Sequence, residues 1–290
     1  MNEQSFIDWM KINTALSDSS IYVFNRIINQ FLNEYQEVNI LNINTFVSKG
    51  VRDKYCLNRK YAFKHYLKYL NKPIYQNIIP IKAKPRKKMG NYIDDSLVRY
   101  LIQNIKDKKF QDVATIHYAT GARAREILGI KVGDIDFNYS IDTIRLKLRG
   151  KGGFEGITFL AKKYEQQLKK YIDKIKKLKE EGNIHKNIDE CYLYINPETN
   201  NERFEIEINN NRTYYNNYLN KAAMSLNDEK IKKFTTHDFR RNVAEELKKN
   251  KEDIRTIKEV LRHKSISTTM IYFNDNPEEV KDAILRHQNT

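Results

Sequence analysis

The sequence predicts a mainly α-helical chain in two domains, with one small antiparallel β-sheet in the second. Three observations predict it. Apolar residues recur at helical spacing through the first seventy residues and again beyond residue 92. Between these regions Pro73, Pro80 and Pro85 forbid a continuous helix. Only TIRLKLRGKGGFEGITFL alternates apolar and polar residues on both sides of a Gly-rich centre, the pattern of a β-hairpin.

The elements follow in order. Phe24, Ile27, Ile28, Phe31, Leu32 and Tyr35 keep helical spacing, with Ser19 and Ser20 available as caps. Phe63, Tyr66, Leu67 and Leu70 form another apolar stripe, so about four helices are expected before residue 72. DDSLVRYLIQNI and FQDVATIHYATGARAREILGI read as helices, and GDID, with Asp134 and Asp136, as a turn into a strand. After the hairpin, YEQQLKKYIDKIKKLKEEG reads as a charged amphipathic helix that Gly182 can end. CYLYI is a candidate third strand, and helices dominate from Asn209 onward. In the tail, Asn276 and Pro277 suit the start of a final helix, with Glu278 and Glu279 in its first turn.

Hydrophobic residues at 40% can fill real cores, and 290 residues leave room for two domains. Cys56 and Cys191 lie far apart, which makes no disulfide framework or metal motif and suits a reducing cytosol. The histidines are scattered, so the sequence calls for no metal and no cofactor. No run approaches 18 apolar residues, and the N-terminus has no apolar signal core; a cytoplasmic protein without a membrane span is expected.

The formal charge of +15 points to a polyanionic partner. It is unevenly placed: residues 1–50 carry −2, residues 51–90 carry +11, and the remaining 200 carry +6. Compositional drift towards lysine would not concentrate in this way, so 51–90 reads as an electrostatic contact region. Lys60, Lys64, Lys68 and Lys72 fall four apart, a stripe able to follow a row of phosphates. A solvated surface face is the plain alternative. Lys82, Lys84, Arg86, Lys87 and Lys88 lie in the proline-rich stretch, which reads as an extended interdomain linker.

Five further sites carry chemistry-bearing residues. In TGARARE, Arg123 follows two small residues near a helix start, and Glu126 lies three residues on. In RGKGG, Lys151 is flanked by glycines at a hairpin tip, where it can reach a ligand. There is no GxxxxGK[ST] pattern, which rejects a nucleotide P-loop. In THDFRRN, His237 and Arg240 share a helix face; His263 follows 23 residues later, and Tyr272 nine after that. Alone, each fits a plain role: a surface arginine, a turn lysine, a chance His-x-x-Arg pair, a core tyrosine.

Together and in this order they resemble the tyrosine recombinases, the phage-integrase and Xer-like family. That family's signature is TG-x-R-x-x-E, a hairpin GKGG, HDLRR and GH-x-x-x-x-x-T-x-x-Y. This chain reads TGARARE, GKGG, HDFRR and RHKSISTTMIY, so the resemblance covers roughly residues 90–275 by motif. It departs at Arg262, where the family usually has Gly, and at Thr236, where it often has Pro.

The resemblance implies a C-shaped DNA clamp. Residues 1–72 would be a helical core-binding domain, 73–91 a basic linker and 92–290 the catalytic domain. It implies that Tyr272 attacks a DNA phosphodiester to give a 3′-phosphotyrosyl intermediate. Arg123 and Arg240 would clamp the non-bridging oxygens, and Lys151 would protonate the departing 5′ oxygen. His237 would assist proton transfer, His263 would donate to the phosphate, and Glu126 would support the arginine. The implied partner is double-stranded DNA with paired recombination sites, bound by a homotetramer that exchanges strands through a Holliday junction. A type IB topoisomerase-like enzyme and a non-catalytic DNA-binding protein of the same fold are the alternatives. The length argues against an additional N-terminal arm-binding domain.

Overall fold

Four helices form in the first seventy residues because the apolar spacing gives each a buried face. The computed structural model describes residues 3–49, 53–73, 78, 92–150, 155–263 and 265–270. The linker cations Lys82, Lys84, Arg86, Lys87 and Lys88, the hairpin Lys151, Tyr272 and the expected final helix lie outside the described residues. The chain divides into two compact units, Met1–Lys88 and Met89–Thr290.

In the first unit the helices are α1 (Glu3–Asn13), α2 (Asp18–Glu34), α3 (Ile40–Ser48) and α4 (Asp53–Tyr69). Ser17 occupies the N-cap of α2, so Ser19 and Ser20 fall inside its first turn rather than capping it. An aromatic cluster holds the unit together. Phe31 meets Phe63 and Phe46 edge-on at 4.8 and 5.5 Å between centroids, a favoured aromatic geometry. Phe63, Tyr66 and Leu67 of α4 are buried, as their spacing predicts. Helix α4 stops at Asn71, which takes φ +54 and closes the end with bonds from Asn71 N to Lys68 O and Lys72 N to Leu67 O. Lys72 therefore leaves the lysine stripe, and its Nζ donates to the Val38 carbonyl at 3.4 Å. Lys60, Lys64 and Lys68 share the helix; Lys64 and Lys68 are exposed and Lys60 half-buried.

The second unit begins with α5 (Asp95–Gln103), α6 (Lys108–Thr120) and α7 (Ala124–Leu128). Asp94 and Asp107 cap the first two by accepting from Ser96 N and Phe110 N. A short 3-10 turn, Val132–Asp134, leads into β1 (Ile135–Asp136), as GDID predicted. Then follow β2 (Thr143–Arg149) and β3 (Glu155–Ala161), and the sheet order is β1-β2-β3, antiparallel throughout. Ile144, Leu146 and Leu148 point into the core, while Arg145 and Lys147 point out. Asp134, buried, accepts from Lys131 N and binds Arg149 at the end of β2, where the strand enters the hairpin turn.

Among the described residues, the remaining helices are α8 (Glu165–Glu180), α9 (Asn201–Ser225), α10 (Thr236–Lys249), α11 (Ile254–Leu261) and α12 (Ile266–Thr269). Gly182, at φ +75, ends α8 as its sequence position predicts. Helix α9 begins eight residues before Asn209, because the Asn200 side chain caps it by accepting from Arg203 N. CYLYI is not a strand. All five residues are buried, but their backbone pairs with Ile130–Val132 only through one isolated bridge, made by the bonds from Val132 N to Cys191 O and from Leu193 N to Ile130 O. An apolar run of this length is equally compatible with a buried connector. Among the described residues, no helix is long and apolar enough to cross a membrane, and no cluster of three or more His, Cys, Asp or Glu side chains could hold a metal ion.

Candidate active site

The site grows from the junction of α6 and α7. Helix α6 must stop at Gly121, which takes φ +57. A Cβ there would also meet Val243 Cγ1 at 2.9 Å, so glycine is required by conformation and by space. The turn places Arg123 at the N-cap of α7 with extended backbone. Glu126, at the third helical position, accepts from Arg123 N at 2.8 Å and from Arg123 Nη1 at 2.7 Å. The Glu126 side chain is almost fully buried, whereas 40% of the Arg123 side chain remains accessible.

Arg240 ties this turn to a distant part of the chain. It lies one turn into α10, whose start is fixed by Thr235: its amide and hydroxyl both donate to Asp238, at 2.8 and 2.7 Å. The buried Arg240 guanidinium donates from Nη1 to the Gly121 carbonyl at 2.8 Å and from Nη2 to the Leu261 carbonyl. One planar fork thus joins the end of α6 to the end of α11.

The end of α11 carries the chain's departure from the glycine pattern. Arg262 takes φ +51, ψ +49, the left-handed region. A non-glycine residue there costs roughly 1–2 kcal/mol. The helix therefore ends where the glycine would end it, and His263 follows directly, buried. Its Nδ1 lies 2.8 Å from the Thr269 hydroxyl, in α12. With that hydroxyl donating, the neutral imidazole carries its hydrogen on Nε2 and is a donor there. Arg262 turns its side chain inward to Glu126 at 3.1 Å, and its carbonyl accepts from Arg123 Nη2 at 3.5 Å.

The electrostatics follow from this crowding of cations. Burial pushes the Glu126 carboxyl upward, but the Arg123 amide and the Arg262 and Arg123 guanidiniums outweigh it and hold it below the usual carboxylate range. His263 is brought down to about 4, first by burial and then by Arg240, Arg123 and Arg262. His237, in the first turn of α10, is exposed. Partial desolvation lowers its pKa, Asp238 opposes this, and Arg240, Arg212 and Arg123 add to it. Solvent softens that effect at an exposed ring. Both histidines are therefore neutral at pH 7.

A third histidine, absent from the sequence-based candidates, lies beneath the site. His117 of α6 is fully buried, with Nδ1 3.1 Å from the Tyr215 hydroxyl. Burial brings its pKa down to about 3, with the Ala122 backbone opposing and Arg240 and His237 adding. In the unfolded chain it binds a proton near pH 6.5. Its contribution to stability is thus complete above that pH and lost as the pH falls towards 3. About 2 kcal/mol is lost between pH 7 and pH 5 from His117 alone, at about 1.4 kcal/mol per unit. Urea unfolding at the two pH values measures it: stability should fall at pH 5, and His117→Gln should remove that share of the slope. Equal pH dependence in wild type and variant would contradict the assignment.

Of the sequence-predicted residues, the structure gathers Arg123, Glu126, His237, Arg240 and His263 into one electrostatically coupled group. The sequence marks Arg262 as a departure but does not show that its side chain turns inward, and no local pattern marks the buried His117. Such a cluster of guanidinium and imidazole donors around an accessible Arg123 can hold a tetrahedral anion.

The Phage integrase family model matches residues 91–279. Among curated proteins, the chain is 27% identical over 307 aligned positions to "Tyrosine recombinase XerD" of Rickettsia bellii, covering 97% of this chain and 96% of the relative. It is 24% identical to "Tyrosine recombinase XerC" of Thermodesulfovibrio yellowstonii, covering 92% and 89%. Among solved structures, XerH site-specific recombinase bound to its difH substrate aligns with TM-score 0.67 and 17% identity over 98% of this chain and 84% of that one. A lambda integrase (75–356) dimer bound to a COC′ core site aligns with TM-score 0.61 and 13% identity, over 92% and 97%.

Proposed function

This chain belongs to the phage integrase family, and from that membership we propose that it is a site-specific DNA recombinase working through a tyrosyl–DNA intermediate. The observation that carries the reading is the Arg240 fork. It binds the Gly121 and Leu261 carbonyls, 119 and 21 residues away, and so brings Arg123 and His263 to one place.

In the reaction, the Tyr272 phenolic oxygen bonds to the phosphorus of a DNA phosphodiester and the bond to the 5′ oxygen breaks. The product is a 3′-phosphotyrosyl linkage with a 5′ hydroxyl. A phenol has a pKa near 10, so the nucleophile is weak until it is held in line and relieved of its proton. Positioning of this kind is worth on the order of 7–11 kcal/mol. Negative charge gathers on the non-bridging oxygens in the transition state, where Arg123, Arg240 and the Nε2 hydrogen of His263 meet it. His237, neutral at pH 7, takes part in proton transfer, and Lys151 gives its proton to the departing oxygen. One phosphodiester is exchanged for another, so a second strand's 5′ hydroxyl reverses the attack without an energy source.

The exposed Lys64 and Lys68, with Lys60, contact phosphates of the duplex, and the linker cations Lys82 to Lys88 extend that contact. Residues 1–72 and 92–290 then act as two DNA-gripping domains joined by residues 73–91. Four copies on two paired sites exchange strands through a Holliday junction, with the protein associated with DNA in the cytoplasm.

The test uses nicked suicide duplexes made from the DNA flanking the coding sequence. The expected result is an SDS-resistant protein–DNA adduct, together with exchange between two copies of the same site. Relaxation of supercoiled DNA without exchange would make the enzyme a topoisomerase. Salt-dependent binding with no adduct at any site would leave only a DNA-binding protein.

A further inference from the structure

We propose that Arg262 is a positioning residue for Arg123, acting through the Glu126 carboxylate that the two arginines share. The proposal rests on the reading of Arg123 as a phosphate ligand. The first observation is conformational. Arg262 holds a left-handed backbone that glycine would adopt with less strain. The side chain is what the surroundings hold. It is 7% exposed, and it donates to Glu126 Oε2 at 3.1 Å and to the Val260 carbonyl at 3.1 Å.

The second observation is a fitted space on the sheet. A Cβ on Gly156 of β3 would fall 2.8 Å from Arg262 Cδ, closer than real atoms approach. An alanine at 156 would therefore force the Arg262 stem to shift, and glycine leaves it its path. Two unusual choices, an arginine in a left-handed cap and a glycine within a strand, serve one side chain.

The third observation is charge. Glu126 is nearly buried and takes bonds from Arg123 N, Arg123 Nη1 and Arg262 Nη2. Paired with Arg123 alone, that carboxylate would cancel the charge a phosphate is meant to meet. With Arg262 on its other side, the three side chains carry a net +1. Arg123 is 40% exposed and Arg262 only 7%, so the accessible guanidinium keeps the ligand while the buried one offsets the carboxylate. The Arg262 carbonyl, turned by the left-handed backbone, also accepts from Arg123 Nη2 at 3.5 Å. A glycine at 262 would keep that last contact and lose the shared carboxylate.

The experiment compares wild type, Arg262→Gly, Arg262→Lys, Gly156→Ala and the Arg262→Gly/Gly156→Ala double variant. One readout is DNA-free: the Arg123 Nε–H resonance is followed during titration with inorganic phosphate. Arg262→Gly should weaken phosphate about tenfold, the size of one lost charge-assisted bond. Arg262→Lys should recover part of it. Gly156→Ala should weaken phosphate in the chain that carries Arg262 and add nothing in the chain that lacks it. The second readout is single-turnover cleavage at saturating DNA, which should slow by a similar factor. The proposal is overturned if Arg262→Gly keeps both wild-type phosphate affinity and wild-type cleavage, or if Gly156→Ala acts equally with and without Arg262. Absence of any wild-type adduct would instead sink the recombinase reading, and the phosphate titration would still decide the role of Arg262.

Discussion

Tyr272→Phe is expected to abolish the covalent protein–DNA adduct while leaving DNA affinity within about twofold, since the ring is retained and phosphate contacts dominate affinity. The substitution removes one oxygen, and that oxygen is the only atom of the side chain that can bond to phosphorus. No neighbouring group restores the reaction by acid–base chemistry alone, so the loss should be complete rather than graded. The assignment stands on the order TGARARE, GKGG, HDFRR and RHKSISTTMIY, in which Tyr272 follows His263 by nine residues. The chain has 19 tyrosines, so the variant tests that register and not merely the need for a phenol. Time courses on a suicide substrate measure it; an adduct formed at the wild-type rate would refute the assignment.

Arg240→Ala is expected to slow cleavage by about 10²–10³-fold, the effect of losing one donor to a transition-state oxyanion. It also has a structural cost. The Gly121 and Leu261 carbonyls lose a buried partner, which costs about 1–3 kcal/mol for each group left unsatisfied. Arg240→Lys separates the effects. An ammonium keeps the positive charge but lacks the planar fork that reaches two carbonyls at once. It should bind DNA with nearly wild-type salt dependence, yet cleave slowly and unfold at lower denaturant. Near-wild-type cleavage by Arg240→Lys would show that charge alone suffices and that the fork does not organise the site.

Much of the fold was legible because local rules agree with one another. Phe63, Tyr66 and Leu67 are buried at the spacing that predicted a helix, and Gly182 ends α8 with the positive φ expected of it. The alternating hairpin formed in register, with Ile144 opposite Leu160. The misreadings arose where the sequence signal was ambiguous. CYLYI is apolar throughout, and strand and buried connector differ only in which neighbour supplies hydrogen bonds. Lys72 continues a fourfold spacing, but Asn71 stops the helix before the spacing can place it. Ser17, Ser19 and Ser20 are equivalent as caps until the chain direction before them is known.

The site was legible in its residue types and not in its connections. Arg123, His237, Arg240 and His263 stand in recognisable local motifs. The bonds that unite them join residues separated by 21 to 139 positions, and no local pattern encodes those pairings. Arg262 makes the same point. Its sequence position is that of a residue ending a helix, yet its side chain is bonded to a carboxylate on a different helix.

Strand transfer by this route requires one defined protein atom to become bonded to DNA, with one defined polarity. Mass spectrometry of the tryptic DNA-linked peptide, combined with end-labelling of the cleaved strand, measures both. The predicted result is peptide 265–281, in which Tyr272 is the sole tyrosine, joined to a 3′ phosphate opposite a 5′ hydroxyl that a kinase can label. A different modified residue, or a protein attached to the 5′ end, would contradict it.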